Sequence, residues 1–121
     1  MVGIGIDAVD VDRFRRLLQR RPAAASRLFT EDEQAFGARW PDPAPRLAAR
    51  FAAKEAVMKA LGVGIGAFAF RDVEVVSAPS GAPSLVLRGE AEALAARLGV
   101  EGWRLSLTHT DALAQAVAVA L

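Results

Sequence analysis

The chain has 121 residues, of which 53% are hydrophobic and 24% charged, with a net charge of +1. These values describe one domain over residues 1–121 with an ordinary core. They exclude intrinsic disorder and any strong field for nucleic acid or a membrane surface. No cysteine is present and His109 is the single histidine, which excludes disulfides, thiol catalysis, cysteine-ligated zinc and multi-histidine zinc sites.

In chain order, Val2, Ile4 and Ile6 alternate with Gly3 and Gly5 ahead of Asp7. The alternation predicts a short strand with Asp7 at its end, and glycines where another backbone or a ligand comes close. The opening lacks the basic segment of a signal peptide. Asp10 suits the N-cap of a helix reaching about residue 20. Val11, Phe14, Leu17 and Leu18 give that helix an apolar face. Arg13, Arg15, Arg16, Arg20 and Arg21 make the rest basic, a face that is either solvated or docks an acidic protein. Pro22 stops it. Thr30 and Glu33 form a capping box for a short helix to about residue 39. Pro41, Pro43 and Pro45 then make a rigid linker.

A long helix is predicted from about residue 46 to 61, rich in alanine, leucine, methionine, lysine and glutamate. Leu47, Phe51, Met58 and Leu61 share a stripe, and Ala48, Ala52, Ala56 and Ala60 fill most of the rest, so the helix is buried nearly all round. Arg50, Lys54, Glu55 and Lys59 are set into it, and charges on such a helix need partners. Glu55 and Lys59 stand i,i+4. The plain reading is an intrahelical ion pair. The sharper one is a carboxylate for a metal beside a lysine for a phosphate.

Gly62 has the placement of a helix C-terminal cap. Gly64 and Gly66 extend it into bare backbone that either turns or approaches a phosphate, though the spacing matches neither the Walker loop nor the dinucleotide fingerprint. Residues 70–77 and 84–88 predict a hairpin around a 78–83 turn. A helix over 89–98 places Ala91, Leu94, Ala95 and Leu98 on one side. Residues 103–110 alternate, with Trp103, Leu105, Leu107 and His109 facing one way, and 114–121 close the chain as a buried strand. The run of apolar residues from Ala112 is too short to span a bilayer, so a cytoplasmic protein is expected, with no membrane or nucleic-acid partner. The fold class is α+β, an antiparallel or mixed sheet packed on one long central helix.

Three segments together carry a resemblance. Gly5, Ile6 and Asp7 with Arg13 form the first. Residues 50–62 match F-x-x-K-E-A-x-x-K-A-x-G, and residues 105–110 match S-x-S/T-H through Ser106, Thr108 and His109. In this order they resemble the 4′-phosphopantetheinyl transferases, and the short length resembles their holo-acyl-carrier-protein synthase branch.

The resemblance implies transfer of the phosphopantetheine arm of coenzyme A to a serine of an apo acyl carrier protein, with adenosine 3′,5′-bisphosphate as the other product, in fatty acid or polyketide biosynthesis. It implies a homotrimer with active sites at subunit interfaces. It assigns Asp7 and Glu55 to Mg²⁺ and, with Lys59, to catalysis. It assigns Lys59, Arg50, Gly62, Gly64, Ile65, His109 and Thr110 to coenzyme A, and Arg13, Arg16 and Arg20 to the acidic carrier. The base for the serine is left open among Glu55, Asp7 and a water on the metal. The chain departs from its relatives at Val63, at Ala82 and over residues 41–45, which bears on the contacts to the 3′-phosphate. Two other classes of reading compete: a non-catalytic binder of coenzyme A or a nucleotide, and a structural trimer whose helix charges are ion pairs.

Overall fold

A computed structural model describes residues 1–121. The elements are β1 (Gly3–Asp10), α1 (Val11–Arg20), α2 (Ala23–Leu28), α3 (Glu31–Gly37), α4 (Ala44–Ala60), a 3-10 turn (Phe70–Asp72), β2 (Val73–Ser77), β3 (Pro83–Leu87), α5 (Gly89–Arg97), β4 (Trp103–His109) and β5 (Leu113–Ala120). The strands form two separate antiparallel sheets, ordered β1-β5-β4 and β2-β3, so no parallel pairing occurs. No helix is long and apolar enough to cross a membrane.

The expected local signals hold at most ends. The Asp10 side chain accepts from the Arg13 backbone N–H at the start of α1. Thr30 and Glu33 make a reciprocal capping box on α3. Gly62, with φ of 74°, follows the last residues of α4 in the left-handed conformation that favours glycine. α4 starts two residues earlier than expected, at Ala44, because the Asp42 carboxylate accepts from the Ala44 N–H and Pro45 fits the first turn. α2 was not anticipated: its six residues lie directly after Pro22 and carry no cap or apolar periodicity.

α4 is the centre of the molecule. The β1-β5-β4 sheet packs on one side through Ala114, Ala116, Ala118 and Ala120, all buried. Alanines on β5 and glycines on β1 bring the backbones close. A Cβ on Gly5 would overlap the Ala56 carbonyl oxygen and lie 2.8 Å from the Ala60 nitrogen. The glycines therefore mark a backbone approach, and the approaching backbone is α4. One core joins Ala52, Ala56, Val57 and Met58 to Val73 and Val75 of β2 and to Ala91 of α5. A second joins Leu47 and Ala48 to Val11, Phe14 and Phe29.

Lys54 is completely buried. Its ammonium donates to Glu33 Oε1 at 2.7 Å, to the Phe70 carbonyl at 3.0 Å and to the Val73 carbonyl. All three protons of the ammonium are thus used.

Candidate active site

Asp7 lies inside β1 rather than at its end. The strand continues through Ala8 and Val9, which pair with Gln115 and Ala114, and stops only at Asp10, where α1 begins. Asp7 shares the inward face with Gly3 and Gly5, so the close packing of those glycines carries it up to α4. There the Lys59 ammonium donates to Asp7 Oδ1 at 3.0 Å and to the Ile6 carbonyl at 2.9 Å. The i,i+4 spacing of Glu55 and Lys59 predicts a pair within the helix; Lys59 instead bridges to β1.

Glu55, half-buried one turn before Lys59, borders the same cavity of about 460 Å³ as Asp7, Asp10, Arg13 and Phe51. Burial pushes the Glu55 carboxyl above the ordinary carboxylate range, the Asp7 charge pushes it further, and Lys59 acts in the opposite direction. Two carboxylates that repel at one cavity, with few compensating donors, suit a hard divalent cation, which takes one or two carboxylates and completes its shell with other oxygens. No three acids, histidines or cysteines converge closely enough to hold a metal ion by themselves. A metal here would therefore depend on substrate oxygens and water.

Folding raises the pKa of the Glu55 carboxyl. The folded protein holds that proton to higher pH than the unfolded chain does, so this carboxylate makes folding less favourable as pH rises from its unfolded value through its folded one. We expect thermal midpoints of the metal-free protein to fall across that window. The Glu55→Gln variant should lack that component, which parallel melting curves over a pH series would reveal.

The other expected site residues are dispersed. Arg13 borders the Asp7–Glu55 cavity, whereas Arg16 and Arg20 lie further along the exposed side of α1. Gly62, Gly64 and Ile65 form the exposed loop after α4. His109, at the exposed end of β4, makes no side-chain hydrogen bond. The Thr110 hydroxyl accepts from Ala112 and Leu113 N–H at 3.2 and 3.0 Å, holding the β4–β5 turn.

Arg50 opens on a different cleft of about 630 Å³, whose walls include Phe36, Trp40, Arg46 and Ser77. Its guanidinium lies 3.5 Å over the Phe36 ring and donates to Ser77 Oγ at 2.9 Å, while its buried Nε has no partner. Arg46 stacks 3.8 Å over Trp40. Arg50 and Glu55 are five residues apart, about 140° around the helix, so the two openings face different directions. Phe36, Trp40 and Ser77 carry no motif, and Arg50 is the one expected site residue that lies at this cleft.

A family model described as "4′-phosphopantetheinyl transferase superfamily" matches residues 3–118. The chain is 52% identical over 120 residues to the holo-(acyl-carrier-protein) synthase of Frankia casuarinae, covering 99% of this chain and 97% of that one. Its fold is similar to the crystal structure of holo-(acyl-carrier-protein) synthase from Neisseria meningitidis, with a TM-score of 0.90 and 32% identity, covering 100% of this chain and 98% of the other. It is also similar to the Helicobacter pylori enzyme in complex with coenzyme A, with a TM-score of 0.86 and 30% identity, covering 98% of this chain and 99% of the other.

Proposed function

The chain belongs to the 4′-phosphopantetheinyl transferase superfamily, and on that premise we propose that it transfers the 4′-phosphopantetheine arm of coenzyme A to a serine of an apo acyl carrier protein. Adenosine 3′,5′-bisphosphate is the second product, and the setting is fatty acid or polyketide biosynthesis in the cytoplasm. The observation that carries this reading is the meeting of Asp7 and Glu55, from two elements, at one cavity, with the Lys59 ammonium held against Asp7.

The serine hydroxyl oxygen forms a bond to the β-phosphorus of coenzyme A. The bond from that phosphorus to the bridging oxygen breaks, and the adenosine bisphosphate leaves with the electron pair. The serine proton passes to a carboxylate or water in the cavity. Asp7 and Glu55 would hold Mg²⁺, which when bound supplies charge compensation at the pyrophosphate. Lys59 places an ammonium at the same edge, where it neutralises phosphate oxygens and holds a proton within reach of the leaving oxygen. Its present partners, Asp7 and a carbonyl, hold it there in advance.

Coenzyme A is long enough to need more than this cavity. The Arg50 cleft, with an unpartnered guanidinium nitrogen and the stacked Arg46, suits the anionic nucleotide end. Gly62, Gly64 and Ile65 offer bare backbone, and His109 a ring with free nitrogens, beside other stretches of the molecule. Because the two openings point about 140° apart, one coenzyme A is best served by the cavity of one subunit and the cleft of another. A homotrimer with interfacial sites is supported further by the outer face of the β1-β5-β4 sheet. There Ile4 and Ile6 are 59% and 60% exposed, paired with Val119 and Val117.

Arg13, Arg16 and Arg20 share one exposed side of α1 and would meet the acidic carrier, Arg13 nearest the chemistry. Arg13→Glu should raise KM for the carrier by about tenfold or more through like-charge repulsion. KM for coenzyme A should remain unchanged in the same steady-state assays. The reading as a whole is tested by chromatography of the nucleotide product. Adenosine 3′,5′-bisphosphate should appear only when coenzyme A, Mg²⁺ and an apo carrier are all present. Its absence with every carrier tried, while coenzyme A binds, would favour a binding protein.

A further inference from the structure

The Lys54–Glu33 ion pair repeats, one step deeper, the arrangement of the Arg50 cleft. Arg50 precedes Lys54 by one turn of α4, Phe36 follows Glu33 by one turn of α3, and Ser77 follows Val75 by two residues on the same face of β2. In the outer layer Arg50 touches Phe36 and Ser77. In the inner layer Lys54 meets Glu33, and Glu33 Oε2 accepts from the Val75 N–H at 3.0 Å. Lys54 also holds the Val73 carbonyl, and Glu33 Oε1 accepts from the Thr30 N–H at 2.9 Å. The three elements that wall the cleft are therefore the three that the buried pair ties together.

We propose that Lys54 and Glu33 are positioning residues that set the width of the Arg50 cleft, and through it the affinity for the nucleotide end of coenzyme A. The inference rests on the reading of that cleft given above. The neighbouring motif residue Glu55 turns toward the cavity, whereas Lys54 touches no opening at all. An ion pair sealed from solvent does not contact a ligand. It fixes where Phe36 and Ser77 stand relative to the guanidinium, and bidentate or stacked anion recognition is sensitive to displacements of about 1 Å.

The test compares Lys54→Met, Glu33→Gln and Arg50→Ala in the whole assembled protein, with circular dichroism to establish folding. Arg50→Ala should raise KM for coenzyme A; if it does not, the cleft is not the nucleotide site and that reading fails first. Folded Glu33→Gln or Lys54→Met should then raise KM for coenzyme A by about tenfold while kcat and KM for the carrier stay within about twofold. An unchanged KM for coenzyme A in these variants, with Arg50→Ala impaired, would overturn the proposal. So would an equal loss in every parameter, which marks a general structural defect. If neither variant folds, amide exchange of the unaltered protein decides. Saturating coenzyme A should slow the Val75 N–H more than the β4–β5 amides, and equal slowing would overturn it.

Discussion

Glu55→Gln protein should fold and assemble like its parent and lose Mg²⁺-dependent transfer by about 10²- to 10³-fold, a barrier increase of several kcal/mol. The substitution keeps the size of the side chain and its place on α4 and removes the charge of one of the two carboxylates proposed to hold the metal. Glu55 makes no hydrogen bond or ion pair inside the chain, and its carboxyl is held above its ordinary range by burial and by Asp7. No contact of the fold depends on its charge, which folding disfavours, so loss of activity without loss of stability is the specific outcome. Steady-state transfer rates across a Mg²⁺ titration would measure it. Turnover within about threefold of the parent would remove Glu55 from the chemistry, and a large loss of stability would favour the structural reading of the helix charges.

Gly5→Ala should destabilise the protein by about 3 kcal/mol or more, far beyond an ordinary single-methyl change. Overpacking is usually relieved by moving a side chain. Here the new Cβ would overlap the Ala56 carbonyl oxygen and crowd the Ala60 nitrogen, both backbone atoms of the central helix. Relief requires β1 to lift from α4. Because β1 carries Asp7 and α4 carries Glu55 and Lys59, the same movement opens the site. Activity should fall further than the unfolded fraction explains. Denaturant unfolding read beside Gly64→Ala supplies the control, since a Cβ at Gly64 meets nothing within 4 Å and its backbone needs no positive φ. That variant should stay within about 0.5 kcal/mol of the parent.

The sequence reading reached those features whose causes are local. Asp10, the Thr30–Glu33 box and Gly62 each act over a few residues and stand where their spacing predicts, and the hairpin expected around a 78–83 turn forms with Pro83 taken into its second strand. The alternation in residues 2–6 was legible as a strand, and its glycines as a close approach. That Ile4 and Ile6 point away from the core was not legible, because alternation does not say which face is covered. The glycine face turned out to be the inner one, since only glycine lets α4 come so near.

Long-range pairings escaped for a related reason. The i,i+4 spacing made Glu55 the natural partner of Lys59, yet Lys59 reaches Asp7, 52 residues away in sequence, once β1 is seated. Lys54 looked like one more helix charge, because its partner Glu33 was already accounted for by the capping box. One carboxylate serves both, and no local pattern signals a second duty. The candidate site was legible mainly through resemblance: Asp7 and Glu55 belong to matched motifs, whereas Phe36, Trp40 and Ser77 belong to none.

The most direct test of the transferase reading is the intact mass of an apo acyl carrier protein after incubation with this protein, coenzyme A and Mg²⁺, beside a sample containing EDTA. A gain of one phosphopantetheine arm on the carrier serine, absent with EDTA and nearly absent with Glu55→Gln, is the result predicted. An unmodified carrier across several carrier types, from a protein that is folded and still binds coenzyme A, would contradict it.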